Sequence, residues 1–146
     1  KEINSGNIEL TMVGQMEDNY FLNRFGNFFK WIPEVSHSEI PNFYREADVC
    51  VHPSLFEGSS LAIYEALASG LPVITTPNSG SVVKNGIEGF IVPIRDIHMI
   101  KEKIMLLYEN RKLRETMAHD ARKLAEHYTW THYHKNVSSL IKDLSS

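Results

Sequence analysis

Between Ser54 and Ile74 the chain runs through a glycine turn, a serine-led stretch, a second glycine and a strand, and this order admits few folds. Gly58 supplies the turn, and Ser59 or Ser60 caps a helix that continues to Ser69. Gly70 is placed to end that helix in the left-handed conformation. Pro72 to Thr75 then forms a strand, and Asp48 to His52, closed by Pro53, forms the strand before it. Strand, helix and strand in so short a span make a unit whose two strands lie parallel, and such sheets are covered on both faces.

The rest of the chain repeats the alternation. Ile8 to Val13, ahead of Gly14, and Phe28 to Ile32, stopped by Pro33, have strand composition. Ser36-His37-Ser38-Glu39 has the form of a capping box and predicts a helix through Glu46. Gly80 to Lys84 suits one helical turn, Asn85-Gly86 a turn, and Gly89 to Val92 a short strand. The last third is helical by period over 96–109, 111–127 and 131–144, with apolar stripes such as Ile97, Ile100, Ile104 and Leu107. The expectation is an α/β, Rossmann-like, doubly wound parallel sheet with helices on both faces and a helical C-terminal segment. Ligands of such sheets bind beyond the carboxyl ends of the strands, which gathers Gly14, the segment after Trp31, Pro53 to Ser60, and Thr75 to Gly80 around one crevice.

A chain of 146 residues suits a single domain, 1–146, with a real core. Its net charge of −3 gives no basic surface for nucleic acid. No apolar run is long enough to span a bilayer, and no charged-then-apolar leader opens the chain. Cys50, the lone cysteine, excludes an internal disulfide and reads as a buried strand thiol. His127, His132 and His134 lack the spacing of metal ligands, so no metal site is expected.

The chemistry concentrates at the helix start. Free N–H groups and a partial positive charge there suit a phosphate. Ser59 and Ser60 add hydroxyls, and Glu57, just before the helix, can accept hydrogen bonds from ligand hydroxyls. Glu65, among Ile63, Ala66 and Leu67, needs a partner if buried, and a sugar or ribose hydroxyl could supply one. By spacing alone, a serine-capped helix with a solvated glutamate is the competing reading. His52 reads as a packed strand-end histidine or as a neighbour of the ligand.

Glu57 and Glu65, framed as Pro-Ser-x-x-Glu-Gly and Glu-Ala-x-Ala-x-Gly-x-Pro-Val-Ile, resemble the E-x7-E signature of retaining glycosyltransferases. These are two-domain GT-B enzymes related to sucrose and glycogen synthases and to many lipopolysaccharide and capsule transferases. Glu46 to Ser54, Asn85 to Pro93 and Tyr128-Thr129-Trp130 are similar to further segments of that family, and the resemblance spans residues 8 to 144. It implies that Glu57 orients the donor sugar and is the catalytic position. It implies that N–H groups of Gly58, Ser59, Ser60 and Leu61 hold the donor diphosphate, and that Glu65 binds the nucleotide ribose. Trp31 and Ile32 would lie against the base, with Gly14 beside the donor. It further implies a UDP- or GDP-sugar as donor substrate, no cofactor and no metal, because in that family fixed backbone dipoles and a basic side chain stabilise the leaving diphosphate.

The same resemblance implies half of a GT-B fold: a donor domain lacking its first strand-turn element and the N-terminal acceptor-binding domain. The isolated chain is then expected to be inactive. A cytoplasmic location is expected from donor supply, with peripheral membrane contact allowed through the missing domain. The run Thr76 to Val82 is shorter than the family's usual glycine-pair loop, and Ser60 stands where proline is frequent. Two other functions compete. A non-catalytic nucleotide-binding or interaction module would keep the fold. A glycosidase carboxylate pair is disfavoured, because eight residues of helix span about 12 Å, beyond the roughly 5–9.5 Å such pairs need.

Overall fold

A computed structural model describes residues 8–16 and 19–144. The chain divides into two compact units, residues 1–43 and 44–146. The first holds β1 (Thr11–Val13), α1 (Asn19–Phe25), a 3-10 turn at Gly26–Phe28 and β2 (Lys30–Ile32). β1 and β2 pair in parallel with Met12 opposite Trp31, so the two strands end together at Val13 and Ile32. Helix α1 has no counterpart in the sequence expectation.

Helix α2 (Ile40–Glu46) contains the division between the units. It begins later than the Ser36 box predicts, and Pro41 is the reason. A helix begun at His37 would place Pro41 in its interior, where the ring removes an N–H and meets the preceding turn. Starting at Ile40 puts Pro41 in the first turn. Half of the box survives: the Ser36 N–H donates to the Glu39 carboxylate at 3.2 Å.

The second unit is built on β3 (Cys50–His52), α3 (Leu61–Ala68), β4 (Val73–Thr75) and β5 (Gly89–Ile91). The three strands form a parallel sheet in the order β3-β4-β5, with Val51 opposite Ile74 and Ile74 opposite Phe90. The parallel strands thus form two hydrogen-bonded sheets, one in each unit. β4 is central, and all three of its residues are buried, as a strand covered on both faces must be.

Alternation along β4 assigns the helices to faces. Val73 packs with Ile63, Ala66 and Leu67 of α3 and with Ala121. Ile74 packs with Phe90, Val92 and Leu107 on the other face. Leu107 lies in α4 (Ile97–Glu109), while Met117 and Ala121 lie in α5 (Arg111–Ala125), which contributes to both clusters. Helices therefore cover both faces of this sheet, and the expected α/β, Rossmann-like arrangement is present. Each fully buried aliphatic side chain such as Ile63 or Leu67 contributes about 1.5–3 kcal/mol.

Caps set the helix ends. Gly70 has φ +74 after α3, as expected of a terminator. Asp96 caps α4 by accepting from the Met99 N–H at 2.9 Å. Asn110 ends α4 and begins α5, its side chain accepting from the Leu113 N–H at 3.0 Å. The expected turn at Gly80–Lys84 lies earlier, as a 3-10 turn at Pro77–Ser79, because Pro77 fixes the φ that starts it. Helix α6 (Trp130–Leu144) carries an exposed apolar stripe of Trp130, Tyr133, Val137, Leu140, Ile141 and Leu144. Among the described residues no helix is long and apolar enough to cross a membrane.

Candidate functional site

Two loops leave the carboxyl ends of adjacent parallel strands in the second unit. One runs from Pro53 to Ser60 between β3 and α3, the other from Thr76 to Gly80 after β4. They are sewn together. The Glu57 N–H donates to Asn78 O at 2.8 Å, Asn78 Nδ2 donates to Leu55 O at 3.0 Å, and the Thr76 hydroxyl donates to Ser54 O. Gly80 closes the seam. Its φ is +59, and a Cβ there would lie 1.9 Å from Gly58 O.

Gly58 is different in kind. Its φ is not left-handed, and a Cβ built on it would meet nothing within 4 Å. Neither backbone strain nor protein packing requires glycine at this position, so the space above it is open to a ligand.

The start of α3 follows directly. Ser60 is the residue before the first helical turn, as expected, yet its side chain makes no capping bond to the helix. Among the described residues, none accepts a hydrogen bond from the N–H groups of Gly58, Ser59, Ser60, Leu61 or Ala62. This row of donors at a helix start is a ready anion site. The Leu61 side chain itself points into solvent, 64% exposed, so its contribution here is its backbone.

Glu57 sits at the rim of that row. His52 Nε2 lies 2.8 Å from its Oε2. The hydrogen bond from His52 holds the Glu57 carboxyl below the usual range against a partial cost of burial, with further help from His52 charge and from the Ser54 and Ser60 hydroxyls. An ionised carboxylate only accepts hydrogen bonds, so Glu57 suits hydroxyl groups of a ligand and repels its phosphates. Ser59 Oγ lies 3.3 Å from the hydroxyl of Tyr64, whose ring meets that of Tyr128 at a tilt of 54°, centroids 5.6 Å apart.

Glu65 is half-buried on α3 and already has a partner within the protein. The Tyr44 hydroxyl is shared between Glu65 Oε2 and Ala62 O, each at 3.2 Å. Burial, and then the Glu65 charge, push the Tyr44 phenol well above its ordinary range, so it stays a donor to Glu65. Sequence reasoning passed over Tyr44. It stands 21 positions from Glu65, and no local pattern joins the two.

Gly14, Trp31 and Ile32 belong to the first unit, where they meet one another at the carboxyl ends of β1 and β2. The Gly14 N–H donates to Ile32 O at 3.0 Å, and Trp31 Nε1 donates to Gly14 O at 3.0 Å. The indole N–H is therefore engaged within the protein, leaving the Trp31 ring faces and nearby backbone as its means of contacting a ligand.

The chain is 36% identical over 131 residues to the capsular polysaccharide biosynthesis glycosyltransferase CapM of Staphylococcus aureus, a match covering 82% of this chain and 33% of that protein. The sucrose-phosphate synthase of Thermosynechococcus elongatus superposes with a TM-score of 0.83 at 22% identity, over 93% of this chain and 38% of that one. Anabaena HepE, solved in complex with UDP-glucose, superposes with a TM-score of 0.83 at 19% identity, over 95% of this chain and 42% of that one. The chain thus spans about a third of the CapM sequence, and the solved structures share its fold, half of a GT-B architecture. The sequence model for glycosyl transferases group 1 matches residues 2–124. By that match this chain belongs to the group 1 glycosyl transferase family.

Proposed function

We propose that this chain is the donor-binding half of a retaining glycosyltransferase, which moves a hexose from a UDP- or GDP-sugar to a glycan or lipid-linked acceptor. The observation that carries the reading is the unpartnered row of N–H groups from Gly58 to Ala62 beside an ionised Glu57, under the open face of Gly58. A nucleotide sugar has the matching order of groups: a dianionic diphosphate next to a ring of hydroxyls.

In this reading the amides of Gly58, Ser59, Ser60 and Leu61 bind the diphosphate and stabilise the charge that grows on it as the glycosidic bond breaks. Glu57 is the catalytic position, accepting from the hexose hydroxyls and fixing the anomeric carbon over the diphosphate. Glu65 binds the ribose hydroxyls while keeping its bond to Tyr44. Trp31 and Ile32 offer ring and backbone to the base, with Gly14 beside them. The donor is a substrate and no metal or cofactor is required. An acceptor-binding domain completes the enzyme, and this half alone does not transfer sugar.

Calorimetric titration of the chain with UDP, GDP and their hexose conjugates tests the binding half of the proposal. Selective binding of one nucleotide class is expected, and silence with all of them overturns it. In the full-length protein, Glu57→Ala is expected to lower sugar transfer at least a hundredfold. Unimpaired transfer in both Glu57→Ala and Glu65→Ala would remove the catalytic assignment. The anomeric configuration of the product, read by NMR against that of the donor, tests retention.

A further inference from the structure

We propose that His52 is a positioning residue that keeps the start of α3 open for an anion, by drawing the Ser60 hydroxyl away from the helix amides while it fixes the Glu57 carboxylate. The inference rests on the nucleotide-sugar reading above and deepens it.

His52 Nε2 faces two oxygens, Glu57 Oε2 at 2.8 Å and Ser60 Oγ at 3.1 Å. An ionised carboxylate accepts only, so the proton must sit on Nε2. The Ser60 oxygen shares the same N–H as a second acceptor. Serine in this position before a helix ordinarily turns its oxygen back to the N–H of the second or third helical residue, here Ala62 or Ile63. Ser60 makes no such bond. It is only 1% exposed, so water does not compete for its oxygen, and the competition is between His52 and the helix.

The arrangement has a chemical consequence. The Ile63 N–H already donates to the Ser60 carbonyl at 3.2 Å, so a capping Ser60 hydroxyl and a bound phosphate would compete for the Ala62 N–H, the last of the open row. With Ser60 held by His52, that amide is left to the ligand, and the same imidazole holds Glu57 at the rim. One side chain at the end of β3 thereby sets both the anion-binding and the hydroxyl-binding parts of the site.

The test is a double-mutant cycle in the full-length protein, titrating UDP and GDP by calorimetry and using whichever the parent binds. His52→Leu removes the donor and frees Ser60 to cap α3. Binding is expected to weaken about fivefold, the size of one cap hydrogen bond. In a Ser60→Ala background no capping oxygen exists, and adding His52→Leu is expected to change affinity less than twofold. A loss from packing alone would persist in that background, so an equal loss in both backgrounds overturns the proposal. His52→Gln, whose amide can place an N–H near the Nε2 position, is expected to bind within twofold of the parent. His52→Asn is too short to do so and reproduces the Leu effect, which keeps the test decisive if His52→Leu does not fold. If the parent binds neither nucleotide, the nucleotide-sugar reading fails and this inference with it. If the parent binds and His52→Leu binds equally well, the role of His52 alone is refuted.

Discussion

Gly80 and Gly58 face each other across the seam between the two loops, and replacing each by alanine separates folding from binding. At Gly80 the added Cβ would lie 1.9 Å from Gly58 O and 3.1 Å from Ser59 Cα, and φ is +59. The left-handed conformation alone costs a residue with a Cβ about 1–2 kcal/mol. The carbonyl clash is with backbone and has no rotamer to relieve it, so the loop must shift by about 1 Å and strain the Glu57–Asn78 bond. Losing that bond adds about 1 kcal/mol. The expected total for Gly80→Ala is about 2–3 kcal/mol, or about 6–12 °C in Tm for a domain near this size. At Gly58 an added Cβ meets nothing within 4 Å and the backbone is unstrained. Gly58→Ala is therefore expected to unfold within about 2 °C of the parent by calorimetry. Its Cβ instead occupies the space assigned to the ligand, and UDP or GDP binding is expected to fall at least tenfold. The reasoning is refuted if Gly80→Ala melts with the parent, or if Gly58→Ala binds nucleotide as the parent does.

Three further outcomes are expected. Glu57 is held below its ordinary value of 4.5, chiefly by the His52 hydrogen bond, so it stabilises the folded state at pH above 4.5 and that contribution fades as pH falls further; urea stability profiles of the parent and Glu57→Gln should converge below that pH, and parallel profiles refute the assignment. Burial pushes the Cys50 thiol up from 9.0 to about 11, so at pH 8 its alkylation by iodoacetamide should be about a hundredfold slower in the native than in the unfolded protein, and rapid native labelling refutes it. Tyr44→Phe removes the donor to Glu65 and should cost about 1–2 kcal/mol in chemical denaturation, whereas an unchanged midpoint would show that Glu65 does not need that partner.

The β3–α3–β4 unit was legible because its punctuation is local. Pro53 and Pro72 restrict the backbone within a residue or two, Gly70 takes the left-handed turn that ends α3, and the structure follows them. Local rules failed where another local rule was stronger. Pro41 moved the start of α2 past the Ser36 box, and Pro77 drew the 3-10 turn ahead of Gly80. They failed in a different way where a distant partner intervened. Ser60 occupies the capping position that its type predicts, but His52, 8 positions away, claims its oxygen. The Tyr44–Glu65 bond and the Gly80–Gly58 contact exist only once the chain has folded, and neither leaves a periodic trace in the sequence. At the first sheet, the indole of Trp31 reaches Gly14 O because β1 and β2 are in a register that the sequence does not specify.

The seam between the two loops has a thermodynamic consequence for recognition. Asn78 both receives the Glu57 N–H and reaches back to Leu55, while Thr76 ties down Ser54. Much of the peptide that presents the amides is thus immobilised before any guest arrives. Association then forfeits little chain entropy, and the heat-capacity change should be small and set by the guest's own surface in place of a folding transition. For the proposed donor, this loop's share of the site would then be in place before binding.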